Sequence, residues 1–194
     1  MNVGEEICGG WLRHVKGCEF VQYNLETTQV QGEIDVIGIN LAEHRVYACE
    51  VALHLVTGLQ YNKNGQPDNV PRLTAKFRKD LNYVRSAFPD YKHVLMFWSP
   101  VVRNQREGAK HNQLRDVGDI VAAIEQEFEI TIDAVVNERF PIALDELRAS
   151  AGIETKELDS SVIRYLQVEE HLKKHLRRLD QAAENNGTLS ECVD

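Results

Sequence analysis

The most regular run of apolar positions lies near the middle of the chain, where Leu73, Phe77, Leu81, Val84 and Phe88 recur at three- and four-residue steps. That spacing lines one face of a helix and predicts one over 72–88. A weaker version of the pattern, Val3, Ile7, Trp11, Leu12 and Val15, predicts a first helix from Val3 to Val15, interrupted by Gly9 and Gly10 and stopped by Gly17. Between the two the period changes. The segments EFVQYN, IDVIGIN and RVYACEVALHL are short, rich in Val, Ile and Tyr, and separated by TTQVQG and NLAEH, which suit turns. They predict three consecutive strands joined by hairpins. The third is apolar on both faces around Glu50, the pattern of a central strand covered on each side.

Thr57 to Pro71 has an Asn-Gly pair, two prolines and no periodicity, and predicts a long loop. HVLMFWSP predicts a buried strand ended by Pro100, and VVRNQREGAKHNQ a polar loop. Leu114, Val117, Val121, Ile124 and Phe128 then mark a helix, and EITIDAVVN alternates as a further strand. After Asn137 the pattern is helical, first in FPIALDELRAS and then through Val162, Leu166, Leu172, Leu176 and Leu179, with the tail expected to fray from about residue 183. Strands, helices and strands in this order predict an α/β fold with a mixed central sheet flanked by helices. One domain is expected, with a core over 1–137 and a helical extension of it over 138–194.

Composition narrows the function classes. With 22 Lys+Arg against 30 Asp+Glu the net charge is −8, which argues against coating nucleic acid or anionic membrane through bulk charge. A local basic groove is still allowed, and Arg72, Lys76, Lys79 and Tyr83 share one face of the central helix. The four cysteines form no CxxC pair, Cys49 lies in an apolar run, and the N-terminus lacks the basic start and apolar stretch of a signal peptide. No run is long enough to span a bilayer, so a reduced, cytoplasmic and soluble protein without a membrane partner is expected.

The chemistry sits in the strands. Period-two alternation puts Glu33, Asp35 and Ile37 on one face and Glu50, Ala52 and His54 on one face of the next strand. If those strands are neighbours, Asp35 and Glu50 converge. Two converging carboxylates repel unless something positive lies between them, and a hard divalent cation with oxygen ligands, magnesium or manganese rather than zinc, is one answer. A buried acid paired with an arginine is the plainer one.

GEEICGGWL, GEIDVIG and CEVA, at these separations, resemble the motifs of the PD-(D/E)XK nuclease superfamily, in its restriction-endonuclease-like and Holliday-junction-resolvase-like branches. The resemblance covers roughly the first 55 residues. It implies a restriction-endonuclease-like sheet and magnesium- or manganese-dependent hydrolysis of DNA, leaving 5'-phosphate and 3'-hydroxyl ends. Asp35 would be the metal-binding aspartate, Glu50 the motif glutamate, the Val51 carbonyl a further ligand, and Glu5 the helix-borne acid, with Glu6 in reserve. Both acids also suit the first turn of a helix. Arg72, Lys76 and Lys79 would meet the nucleic acid, and a homodimer would allow cuts on two strands.

The departure is Ala52, where the family pattern has a lysine. Lys76 is the first candidate to replace it, from a helix packed on the sheet; Lys79 and His54 follow. A non-catalytic descendant of the fold, binding nucleic acid or protein, is the alternative. His171 and His175 are spaced to share a metal, but no third ligand accompanies them, and Lys173, Lys174, Arg177 and Arg178 suit a solvated helix. No GxxxxGK loop and no Ser/His/Asp or Cys/His signature supports ATP use or acyl transfer.

Overall fold

The computed structural model describes residues 2–26, 32–106, 108–109 and 111–190. The expected TTQVQG turn and the last four residues therefore fall almost wholly outside the described residues. The first helix, α1 (Val3–His14), starts on Asn2, whose side chain accepts from the Gly4 and Glu5 amides while the Glu5 carboxylate takes the Asn2 N–H in return. Gly9 and Gly10 have a packing reason. A Cβ at Gly9 would collide with the Tyr23 ring and one at Gly10 with Ile163, so two bare turns let α1 approach a strand and the C-terminal helix closely.

Strands β1 (Phe20–Glu26), β2 (Glu33–Asn40) and β3 (Arg45–Val51) form an antiparallel meander. After a two-stranded hairpin, β4 (Asn62–Lys63) and β5 (Gln66–Pro67), come α2 (Asn69–Ala87), β6 (Lys92–Ser99), α3 (Gln113–Phe128), β7 (Ile132–Val136), α4 (Arg139–Ile153) and α5 (Ser161–Ser190). The five-stranded sheet has the order β1-β2-β3-β6-β7, with β3, β6 and β7 parallel. It is an α/β fold on a mixed central sheet flanked by helices.

The two crossovers, β3 to β6 through α2 and β6 to β7 through α3, step the same way across the sheet, so a common handedness lays both helices on one face. Ile37, Val46, Ala48, Leu95 and Phe97 pack there against Leu73, Phe77, Leu81 and Ile124. On the other face Val36, Tyr47, Cys49, Met96 and Trp98 pack against α1, α4 and α5. Trp98 is fully enclosed, edge-on to Trp11 and Phe140. The C-terminal helices belong to this core through Phe140, Leu147, Ile163 and Leu166. Among the described residues no helix is long and apolar enough to cross a membrane.

Three boundaries differ from expectation. β3 ends at Val51 instead of running on through ALHL: the Ala52 amide still donates to Trp98 O at 2.8 Å, but β6 stops before Pro100 and the chain turns away. His54 therefore lies just before a turn, its carbonyl accepting from the Gly58 amide at 3.1 Å and its ring edge-on to Tyr61, and not one strand step beyond Ala52. The expected loop at Thr57–Pro71 contains a hairpin whose turn, Asn64-Gly65, has positive φ at both positions, as a two-residue hairpin turn requires. α2 starts three residues early because Asn69 anchors it: its side chain accepts from the Tyr61 amide at 2.7 Å and donates to Leu59 O and Asp116 Oδ2. At the C-terminus α5 is described as far as Ser190.

Candidate active site

Antiparallel pairing of β2 with β3 sets Val36 across from Cys49, and the next step of that register brings Asp35 opposite Glu50. Both side chains lie at the strand ends, on the face covered by α2, and both are buried. Asp35 Oδ2 accepts the Val51 amide at 2.8 Å, which fixes the carboxylate. Its Oδ1 lies 3.3 Å from Lys76 Nζ, and the same ammonium is paired with Glu50 Oε2. The second oxygen of Glu50, Oε1, is buried with no donor.

A third carboxylate completes the group. Asp80 is one turn beyond Lys76 on α2, is 0% exposed, and meets Glu50 side chain to side chain. Lys79 Nζ is 3.2 Å from Asp80 Oδ1, a charge contact, and neither buried Asp80 oxygen has a hydrogen-bond donor. Lys79 also donates to Glu33 O at 2.6 Å. Three acids therefore face two ammonium groups in a largely buried cluster. Burial raises the Glu50 carboxyl well above the usual carboxylate range, and the Asp80 and Asp35 charges push it the same way, only partly opposed by Lys76. Asp80 is also raised, mainly by burial, with Glu50, Lys79 and Lys76 opposing. For Lys76 burial works against the charge, but Glu50 and Asp35 outweigh it and hold the ammonium protonated. A proton on Glu50 donated to Asp80 would pair Glu50 Oε1 with one of the two orphaned Asp80 oxygens and would leave two carboxylates against two ammonium groups.

Other expected site residues lie elsewhere. Glu5 is part of the α1 capping box, on a helix packed against the opposite face of the sheet, and Glu6 accepts from Ser160 Oγ at 2.7 Å. Lys76 and Lys79 do not line a solvated basic face; they turn inward onto carboxylates. Arg72 remains exposed, its guanidinium 4.6 Å over the Tyr61 ring, beside Lys63 of the β4-β5 hairpin. Tyr83 caps the edge of the core. Ala52 is buried with its carbonyl accepting from Ser99 Oγ, so no cation comes from that position. His171 is tied to Glu154 O at 3.1 Å on the outer helix.

Asp80 was missed in the sequence, although a signal was present. It falls inside the apolar stripe, three residues after Phe77 and four before Val84, where a charge is costly unless it has a partner.

An all-oxygen donor set with an unpartnered buried carboxylate oxygen suits a hard divalent cation. Among the described residues no three His, Cys, Asp or Glu side chains are already arranged as a metal site, and the Lys76 ammonium lies between Asp35 and Glu50. No family model, curated protein or solved structure matches this chain.

Proposed function

We propose that the protein is a divalent-metal-dependent nuclease of the PD-(D/E)XK type, cytoplasmic, cutting DNA through Asp35, Glu50 and Lys76. One observation carries the reading: a lysine from α2 reaches the Asp35–Glu50 pair, whereas buried Ala52, just past the end of β3, supplies no cation. A magnesium or manganese ion would be held by Asp35, Glu50 and the Val51 carbonyl, and when bound supplies Lewis-acid charge and an activated water.

The residues of the chain divide the remaining work. Asp35, pinned by the Val51 amide, is a preoriented ligand. Glu50 becomes one by giving up its proton, and Asp80, beside Lys79, is the group that receives hydrogen-bond donation from Glu50 before that. Lys76, now paired with Asp35 and Glu50, would be the cation available to hydrogen-bond a phosphate oxygen as charge builds on it if an ion took its place between the carboxylates. With the Glu50 proton gone, three carboxylates, two ammonium groups and a dication sum to +1, which one phosphodiester neutralises. Arg72 and Lys63 flank the approach as contacts for neighbouring phosphates. The place of Glu5 in this chemistry rests on the family resemblance alone.

The same cluster, already neutral when closed by Lys76, also favours a second reading, a non-catalytic nuclease fold that binds nucleic acid or protein. Cleavage of plasmid, linear, single-stranded and branched DNA with magnesium or manganese separates them. Cutting by the wild type that is lost in Asp35→Asn and Glu50→Gln supports the enzyme. No cutting on any substrate supports the binding module.

A further inference from the structure

The outward face of α5 carries a stripe of exposed apolar side chains: Tyr165, Val168, Leu172, Leu176 and Leu179 are 49% to 69% exposed. At 3.6 residues per turn they fall within an arc of about 80° and run about 21 Å along the helix. The opposite side of the helix, with Ile163, Leu166 and Gln167, is already buried against α1 and α4. The stripe is thus additional to the core.

Its spacing is the same from either end. Val168 and Leu176 lie four residues on each side of Leu172, and Tyr165 and Leu179 lie seven. In an antiparallel helix pair with two-fold symmetry, residues equidistant from the axis come level, so this stripe matches a reversed copy of itself. Leu172 meets Leu172, Val168 meets Leu176, and Tyr165 meets Leu179. The charges agree. Glu169 and Lys173, already an ion pair at 2.8 Å within each helix, lie on one flank of the stripe, three residues before and one after the centre, and reversal brings Glu169 of each copy to within two residues of the level of Lys173 of the other. The helix dipoles also oppose.

We propose that the chain forms a two-fold symmetric dimer through antiparallel pairing of α5, with Leu172 on the axis. This inference does not depend on the chemistry of the carboxylate cluster. Sedimentation equilibrium of the full chain at tens of micromolar should give twice 22.1 kDa, and Leu172→Glu should give the monomer with an unchanged circular dichroism spectrum. Glu169→Lys and Lys173→Glu should each weaken the dimer about tenfold through like charges, and mixing the two variants should restore it, because both crossings are then attractive. In a Cys192→Ser background, Leu172→Cys should cross-link to itself, whereas Tyr165→Cys should cross-link only to Leu179→Cys. A wild type that stays monomeric at about 100 μM, well above a micromolar dissociation constant, overturns the proposal. So does self-cross-linking of Tyr165→Cys, which would mean parallel pairing.

Discussion

Replacing Lys76 by methionine tests the electrostatics of the cluster because it keeps the length of the side chain and removes only the ammonium. Asp35, Glu50 and Asp80 then face Lys79 alone, and one proton no longer balances them. Removing one partner of a buried ion pair costs about 3–5 kcal/mol. The Lys76 side chain is 30% exposed and Asp35 11%, so water screens part of the loss and about 2–3 kcal/mol is expected at neutral pH. The pH dependence follows. Burial already raises the folded-state value of Glu50 above its unfolded one, and loss of the ammonium that opposes this raises it further, so the protonated carboxyl favours folding below the unfolded range and that contribution disappears as pH rises through the folded value. Urea titrations in chelator should therefore show Lys76→Met close to wild type near pH 4, about the unperturbed carboxylate range, and increasingly below it toward pH 8. Millimolar manganese should recover most of the difference, since a dication replaces the lost charge. A deficit that is the same at every pH, or one under about 0.5 kcal/mol, the size of an ordinary surface substitution, would refute the ion cluster.

Asp80→Asn should raise stability at alkaline pH and change little near pH 4, because Glu50 and Asp80 both have raised folded-state values and wild-type stability falls as pH rises through them; urea midpoints across pH measure it. Gly9→Ala should cost about 1–3 kcal/mol by driving a methyl into Tyr23, whereas Gly118→Ala, in α3 with nothing within 4 Å of the added carbon, should gain about 0.5–1 kcal/mol; thermal melts distinguish them. Asn69→Ala removes three hydrogen bonds that tether the segment before α2, at about 1 kcal/mol each. Limited proteolysis between Leu59 and Pro67 should accelerate accordingly.

The helices and strands were legible because burial imposes a period on the residues that carry it. The meander, the later order of strands and helices and the central place of β3 followed from Val- and Ile-rich segments whose alternation and spacing leave few topologies. The convergence of Asp35 and Glu50 was legible too, since register is set by the face each strand buries. What a period cannot show is the neighbour. RVYACEVALHL continues apolar past Val51, but a strand ends where its partners end, and β6 stops before Pro100. Leu172, Leu176 and Leu179 keep helical register as well as Ile163 does, yet they lie outside. The surroundings of the α2 lysines were hidden for the same reason: the helical period groups Lys76 and Lys79 on one basic face, and only the fold sets Asp80, Asp35 and Glu50 in front of them.

Manganese binding followed by titration calorimetry, in two buffers of different ionisation enthalpy, tests the centre of the proposed function. If Asp35 and Glu50 form the cation site and Glu50 carries the shared proton, the wild type binds with proton release, affinity rises with pH, and Asp35→Asn abolishes binding. Binding with no proton release, or binding that survives Asp35→Asn and Glu50→Gln, would put the metal elsewhere; no binding at millimolar manganese at any pH would leave the cluster as a closed ion pair and contradict the nuclease.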